Sequence, residues 1–255
     1  MIRLFLLDID GCVTEPFVTP SWEALTGIRE LQIKSFEREE IPSLTLCTGR
    51  PYPYTEAVAQ YLDIRHPVIF ESGGGLYDPE KYNLEMSPYF DERALREKQD
   101  ISRFVENEVL PRYSTAFLEF SKYTDVGIVG SDEKHIKQMY EQVKSWVEAR
   151  YPDVEVHSTP VSVNVIRKQC NKAEGIRHIA RYSGIPMEQM AYIGDSSGDL
   201  KAIREAAISF APANAIPDVK SEVDYIMKSE TTHAVLEAYQ QLVEINRKAL
   251  EEERP

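Results

Sequence analysis

The chain has 255 residues, of which 42% are hydrophobic and 28% are charged, a composition typical of a folded protein with a buried core. Its net charge of −13, from 42 acidic and 29 basic residues, disfavours a nucleic-acid partner, because binding a phosphate backbone needs clustered positive charge. No apolar run approaches the roughly 20 residues of a membrane span, and the short run before Asp8 is no signal peptide. We therefore expect a cytoplasmic protein with no membrane partner.

The cysteines and histidines indicate neither a disulfide framework nor a zinc site. Cys12, Cys47 and Cys170 form no CxxC pair and are odd in number, which fits a reducing compartment. The five histidines show none of the spacings typical of zinc ligands.

Short apolar runs alternate with segments of helical period at both ends of the chain. Strands are predicted at six apolar runs: 4–7, 43–47, 67–70, 190–193, 208–210 and 225–227. Helices are predicted over three segments of helical spacing: 21–40, 172–183 and 199–207. Alternation of strands and helices predicts an α/β fold, with a Rossmann-like parallel sheet covered by helices on both faces.

The middle of the chain has a different pattern. Long, highly charged helices are predicted at 91–112 and 132–150, the second with Ser131 or Asp132 as its N-cap. Four β-like runs lie between and after them: 116–123, 126–129, 154–157 and 162–166. These elements predict an α+β domain at residues 83–167, inserted into a core made of 1–82 and 168–255.

Two acidic clusters follow predicted strands directly. The first is DIDGC, from Asp8 to Cys12, and the second is GDSSGD, from Gly194 to Asp199. Ligands of open α/β sheets bind beyond the carboxyl ends of the strands, where both clusters must lie. Carboxylates there can hold a hard cation such as Mg²⁺, and a carboxylate can also attack phosphorus to form an acyl phosphate. An acidic turn or a helix N-terminus that favours acidic residues would explain either cluster alone, but not why both end strands.

Two further segments contain groups suited to phosphate. Thr48, Gly49 and Arg50 follow the second predicted strand, where a hydroxyl and backbone N–H groups can seat a phosphate. Lys172 opens a predicted helix, although a cation there opposes the helix dipole. Pairing with phosphate and with acidic residues would compensate for this unfavourable position.

In this order, the four segments resemble the haloacid dehalogenase superfamily of phosphatases over essentially the whole chain. The insert between the Thr and Lys segments is similar to the α/β cap of the Cof-like branch. Residues 70–74 and 212–215 are similar to that branch's Glu-Asn-Gly and Asn-Ala turns. These features suggest kinship with archaeal phosphoglycolate phosphatases and sucrose-phosphate phosphatases.

The resemblance implies Mg²⁺-dependent hydrolysis of a small phosphorylated metabolite, such as a sugar phosphate or a phosphoglycolate-like acid. Asp8 would be the nucleophile and Asp10 the general acid, then the base for the attacking water. The groups expected to contact the phosphoryl group or substrate are Thr48, Lys172, Gly49, Arg50 and Asn214. The expected Mg²⁺ ligands are Asp8, Asp10 through its backbone carbonyl, Asp195 and Asp199. The cap would set specificity, and a monomer or weak homodimer is expected.

Departures from the family pattern leave the proposed catalytic groups intact. Gly198 stands where the family usually has Asn, Cys12 where Thr is common, and Ser72 where the turn has Asn. Gly198 removes an amide that would orient metal ligands, which predicts weaker metal binding. Two alternatives remain: a phosphomutase of the same superfamily, and a non-enzymatic phospho-accepting module. The length, the insert and the position of Asp8 after the first strand disfavour the second.

Overall fold

The computed structural model describes residues 1–252, which form twelve strands and eight α-helices. Those of the first part of the chain are β1 (Leu4–Leu7), α1 (Trp22–Lys34), β2 (Ser43–Leu46), α2 (Tyr52–Tyr61), β3 (Val68–Phe70), β4 (Gly75–Asp78) and β5 (Asn83–Met86). Those of the middle are α3 (Glu92–Phe104), β6 (Ala116–Leu118), β7 (Val126–Gly130), α4 (Glu133–Glu148), β8 (Val154–Thr159) and β9 (Ser162–Arg167). Those of the last part are α5 (Lys172–Ser183), β10 (Met190–Ile193), α6 (Leu200–Ile203), β11 (Ile208–Ala211), α7 (Pro217–Lys220), β12 (Tyr225–Ile226) and α8 (Thr231–Glu252).

The core is a five-stranded, wholly parallel sheet in the order β12-β11-β10-β1-β2. Every residue of β1 is buried, and its side chains alternate between two apolar clusters. Phe5 and Leu7 pack in the cluster with α1, α2 and α8, whereas Leu4 and Leu6 pack in the cluster with α5, α6 and α7. The predicted α/β fold with a Rossmann-like core is confirmed, and burial of both sheet faces explains why β1 is a continuous apolar run.

A small antiparallel sheet extends the core beside β2. Its order is β3-β4-β5, and a single bridge between Cys47 and Ile69 joins β3 to the end of β2. Residues 83–86, which the sequence assigns to the insert, form β5 and pair with β4. We therefore propose that the insert begins after β5, near the N-cap Asp91 of α3, rather than at residue 83.

The inserted unit, called the cap below (residues 91–167), is an antiparallel sheet in the order β6-β7-β9-β8 with α3 and α4 on one face. Asp132 caps α4 by accepting the N–H of His135 at 3.1 Å. The helix predicted over 91–112 is α-helical only to Phe104 and continues as a π-helical turn and a 3₁₀ turn to Arg112. The β6–β7 connection replaces most of the strand predicted over 116–123.

Helix α8 closes one face of the core sheet. The Tyr239 hydroxyl donates to the Pro42 carbonyl at 2.6 Å, and the Asn246 amide bonds both backbone groups of Ile2. No helix in the described part of the chain is long and apolar enough to cross a membrane.

Candidate active site

The predicted catalytic segments converge because their strands are neighbours. Leu7 of β1 pairs with Ile193 of β10 on one side and with Leu46 of β2 on the other. Asp8, Asp195 and Thr48 therefore follow three adjacent strands that end at the same edge. Gly11 lets the Asp8 loop approach β10: its φ is +76°, and a Cβ there would lie 2.1 Å from Oδ2 of Asp195.

Three carboxylates and one ammonium form the centre of the site. Oxygens of Asp8, Asp195 and Asp199 lie within 4.8 Å of one another. The buried Lys172 ammonium is 2.8 Å from Oδ1 of Asp8 and donates to Oδ1 of Asp199 at 2.6 Å. Lys172 reaches this position from the first turn of α5, whose N-cap Asn171 accepts two backbone N–H groups. The lysine is thus held against the carboxylates, which offsets its unfavourable place at a helix start.

The hydrogen bonds divide the carboxylates into bonded and free oxygens. Asp199 accepts from Lys172 and Tyr192 on Oδ1, and from two backbone N–H groups and the Ser196 hydroxyl on Oδ2. Oδ1 of Asp8 accepts the Ile9 N–H at 2.8 Å and faces Lys172. Oδ2 of Asp8 accepts no hydrogen bond from residues 1–252 and is the oxygen available for another partner.

The site's electrostatics follow from burying several charges together. Burial and the nearby charge of Asp199 raise the pKa of Asp8 well above its ordinary value. The same two causes raise the pKa of Asp195 to about 7. Burial opposes charge on Asp199, but Lys172 and the hydrogen bonds lower the pKa of this carboxyl. Burial likewise opposes the Lys172 ammonium, yet Asp199 and Asp8 raise its pKa well above the ordinary value.

The carboxylate cluster fits a divalent cation. One buried lysine lies among three carboxyl groups, and the pKa of Asp8 and of Asp195 is raised by burial together with the negative charge of Asp199. Oxygen ligands at a polar sheet edge are those that Mg²⁺ prefers. Asp8 and Asp195 would hold it, while the five hydrogen bonds of Asp199 indicate that this residue mainly orients the 195–196 turn.

Asp10 and Arg50 form an ion pair at the mouth of the site. The guanidinium donates from Nε to Oδ2 of Asp10 at 2.6 Å and from Nη2 to Oδ1 at 2.7 Å. The structure therefore places Arg50 on the predicted acid/base group. The buried Thr48 hydroxyl accepts the Arg50 N–H at 3.1 Å, and its own hydrogen remains available to an anion. Gly49 lies against Ser72, whose hydroxyl would be 3.2 Å from a Cβ at this position.

Asn214 lies in a loop-holding network. Its Nδ2 donates to the Gly11 carbonyl at 2.9 Å, and its Oδ1 accepts the Thr231 N–H at 3.0 Å. The amide thus ties the Asp8 loop to the start of α8. A direct contact between Asn214 and substrate stays a prediction.

Sequence reasoning missed the groups that connect the core with the cap. The buried Glu71 carboxylate accepts the N–H groups of Tyr123 and Thr124 at 2.9 and 2.6 Å, and the Thr124 hydroxyl at 2.6 Å. Glu119 of the cap lies 4.0 Å from Nη1 of Arg50. The similarity of residues 70–74 to a family turn located Glu71, but no periodic signal indicated its partners.

The fold and the site together define a phosphatase of the α/β class with an inserted cap. The family model for haloacid dehalogenase-like hydrolases matches residues 82–238, and the chain belongs to that family. It is 23% identical to a phosphoglycolate phosphatase of Staphylothermus marinus, over 96% of this chain and 99% of that protein. It is 26% identical to one of Methanothrix thermoacetophila, over 89% of this chain and 90% of that protein.

Solved structures show the same fold at low sequence identity. A Thermoplasma acidophilum protein has a TM-score of 0.74 at 19% identity, covering 95% of this chain and 98% of that one. The sucrose-phosphatase of Synechocystis, solved with sucrose and phosphate, has a TM-score of 0.64 at 17% identity, covering 95% and 98%. The predicted family, fold and enzyme class are therefore confirmed.

Proposed function

We propose that this phosphatase hydrolyses a small phosphorylated metabolite in a Mg²⁺-dependent reaction, through an aspartyl-phosphate intermediate on Asp8. The observation that carries the proposal is the pairing of Asp8 with Lys172 through one oxygen while its second oxygen stays without a partner among residues 1–252. A nucleophilic carboxylate needs such a free lone pair, and the lysine beside it neutralises charge on the transferring group.

Each residue then has a role that its surroundings support. Oδ2 of Asp8 attacks phosphorus, the bond to the leaving oxygen breaks, and Asp10 gives that oxygen a proton. Asp10 next removes a proton from water, which attacks phosphorus and frees Asp8. Lys172 and the Thr48 hydroxyl hold the phosphoryl oxygens. A bound Mg²⁺ would neutralise charge on the phosphoryl group and would be held by Asp8, Asp195 and the Asp10 carbonyl.

Two features support a small substrate. The cap reaches the site, since Glu119 lies 4.0 Å from Arg50 of the core, and a covered site leaves little room for a folded protein. The relatives named phosphoglycolate phosphatases make a small phosphorylated acid the first candidate. The net charge of −13 and the buried free thiols fit a cytoplasmic enzyme, monomeric or weakly dimeric, that acts on neither nucleic acid nor membrane.

The test is phosphate release from a panel containing phosphoglycolate, hexose phosphates, sucrose phosphate, nucleotides and a phosphopeptide, with Mg²⁺ or with EDTA. Asp8→Asn should abolish release without unfolding the protein, because it removes the attacking oxygen but little volume. Asp218→Asn, at an exposed position of α7, is the matched control and should be active. Near-native turnover by Asp8→Asn would refute the covalent mechanism, and equal rates on the phosphopeptide would refute the small-metabolite substrate.

A further inference from the structure

Arg50 connects the proposed acid/base group to the cap. Two nitrogens of its guanidinium hold the two oxygens of Asp10, and the third, Nη1, faces Oε1 of Glu119. The Arg50 guanidinium also lies over the ring of Tyr54, 4.9 Å from its centroid, which limits its movement on the core side. Arg50 is thus fixed by contacts on several sides, although the site edge is open to solvent.

We infer that Arg50 is a positioning residue that fixes the Asp10 carboxyl for proton transfer and that Glu119 of the cap holds Arg50 in place. A two-point bond between a guanidinium and a carboxylate fixes the carboxylate plane as well as its position. Each carboxyl oxygen has a second lone pair, so Asp10 can bind a proton there while it stays paired with Arg50, give that proton to the leaving oxygen, and regain one from the attacking water. The inference rests on the proposed acid/base role of Asp10.

The position of Glu119 is itself set by buried contacts in the cap. Oε2 of Glu119 lies 3.7 Å from the Lys122 ammonium, which donates to Asp125 at 3.1 Å and to Asn164 at 2.9 Å. The same β6–β7 connection is held to the core by the hydrogen bonds that the Tyr123 and Thr124 N–H groups donate to Glu71. Acidic and basic side chains therefore alternate along one series of contacts: Asp10 pairs with Arg50, Arg50 faces Glu119, and Glu119 faces Lys122. Correct seating of the cap and orientation of Asp10 are coupled through this chain.

The test measures how strongly the rate depends on the leaving group, because a misplaced acid harms the release of a basic leaving group most. Phenyl phosphate and p-nitrophenyl phosphate have similar size, but phenoxide is much more basic and needs a proton on departure. The quantity compared is kcat/KM, which reports the steps up to release of the phenol. Asp10→Asn defines the full effect, on the order of 10² or more for phenyl phosphate and much less for the nitrophenyl ester.

We expect Arg50→Met to lower kcat/KM for phenyl phosphate about tenfold to a hundredfold while lowering the nitrophenyl value much less. Arg50→Lys should recover part of the loss because it keeps the charge but not the two-point bond. Glu119→Gln should show a weaker form of the same selective loss. The matched control Arg38→Met, which removes an exposed arginine paired with Glu40, should leave both values unchanged.

The double variant Arg50→Met with Asp10→Asn should be no slower on phenyl phosphate than Asp10→Asn alone, because residues acting as a unit are not additive. Equal loss on both esters in the Arg50 and Glu119 variants, or full additivity in the double variant, would overturn the inference. Should Arg50→Met unfold, Arg50→Lys and Glu119→Gln decide the question by the same comparison of the two esters. Failure of the wild type to hydrolyse either ester with Mg²⁺ would instead refute the proposed function.

Discussion

Replacing Lys172 with Met tests whether this lysine keeps the carboxylate cluster ionised. The ammonium is buried and lies 2.8 Å from Asp8 and 2.6 Å from Asp199. Methionine has similar length and fits an apolar interior but removes the charge. In the metal-free variant, the three clustered carboxyl groups would face one another without a cation.

The expected loss can be worked out from this geometry. Removing one partner of a buried ion pair costs about 3–5 kcal/mol, because it leaves an uncompensated buried charge. The Lys172 side chain is 7% exposed, so solvent screens the pair little. A loss of this size is a large share of the roughly 5–15 kcal/mol by which a domain is stable. The loss of stability caused by Lys172→Met should be smaller at low pH. Asp8 and Asp195 then take up protons, because their pKa values are raised, and the repulsion among the three carboxyl groups falls.

The assay is urea denaturation followed by circular dichroism, at about pH 8 and about pH 5.5, on either side of the Asp195 titration, with EDTA or with excess Mg²⁺. Mg²⁺ should restore more stability to the variant than to the wild type, because it supplies the missing positive charge. Lys81→Met is the matched control: its pair with Asp78 is solvent-exposed on the lysine side and contributes little. Equal stability of Lys172→Met and wild type at the higher pH in EDTA would refute the view that this lysine neutralises the cluster.

Three further predictions concern the metal and the core–cap junction. Because the pKa of Asp195 is raised to about 7, between about pH 4 and 7 the folded protein holds a proton that the unfolded chain has lost. The free energy of unfolding of the metal-free protein should therefore fall as the pH rises through this range. Below pH 7 the apparent Mg²⁺ affinity, measured by calorimetry, should weaken about tenfold per pH unit, because Mg²⁺ must displace that proton. A Cβ at Gly198 would meet nothing closer than the Ser196 hydroxyl at 3.8 Å, so the Gly198→Asn variant should fold normally. It should reach half-maximal activity at a lower Mg²⁺ concentration than the wild type. An unchanged Mg²⁺ concentration for half-maximal activity would refute a role for the added amide. Glu71→Gln should lower the free energy of unfolding by about 3 kcal/mol, because the donors that bond both carboxylate oxygens would then face an amide N–H₂ group on one side. The control Glu80→Gln, at an exposed position, should leave the free energy of unfolding unchanged. Equal urea midpoints for Glu71→Gln and the wild type would contradict this prediction.

The parts of the site that the sequence predicted are those fixed by strand ends. Asp8, Thr48 and Asp195 each follow an apolar run, and parallel strands place such residues at one edge whatever the side-chain details. Lys172 was predicted for a different reason, because it opens a segment of helical spacing, and the structure places it in the first turn of α5.

The contacts of long side chains were not predictable. The pairing of Arg50 with Asp10 depends on rotamers and on a neighbour from the cap, neither of which leaves a periodic signal. The later start that we propose for the insert has a similar basis: residues 83–86 are a short strand, and only its pairing with β4 shows that it extends the neighbouring sheet. Long-range pairing of short strands is what single-sequence patterns describe least well.

The three cysteines lie close to the proposed catalytic residues in the sequence, but their burial in the structure disfavours a reactive role. Cys12, Cys47 and Cys170 lie beside the segments proposed to be catalytic, a position that would suit redox control of activity. All three are buried free thiols, and burial raises the pKa of each, well above the ordinary value for Cys12, where Asp195 and Asp8 add to the effect. Because the thiolate is the reactive form, we expect these thiols to be poor targets for oxidation and to serve as packing residues.

The clustered carboxyl groups are the same residue type in unequal surroundings, and this inequality decides what each can do. Asp199 is held ionised by Lys172 and Tyr192 and has both oxygens bonded, so it can orient its neighbours but cannot attack phosphorus. Oδ1 of Asp8 is held by Lys172 and by the Ile9 N–H, and this fixes the orientation of the carboxylate and therefore the position of the unbonded Oδ2. Charge alone would not separate these two aspartates, whereas their hydrogen bonds do. The proposal that Asp8 is the nucleophile therefore rests on the hydrogen bonds that its second oxygen lacks as much as on those that its first oxygen makes.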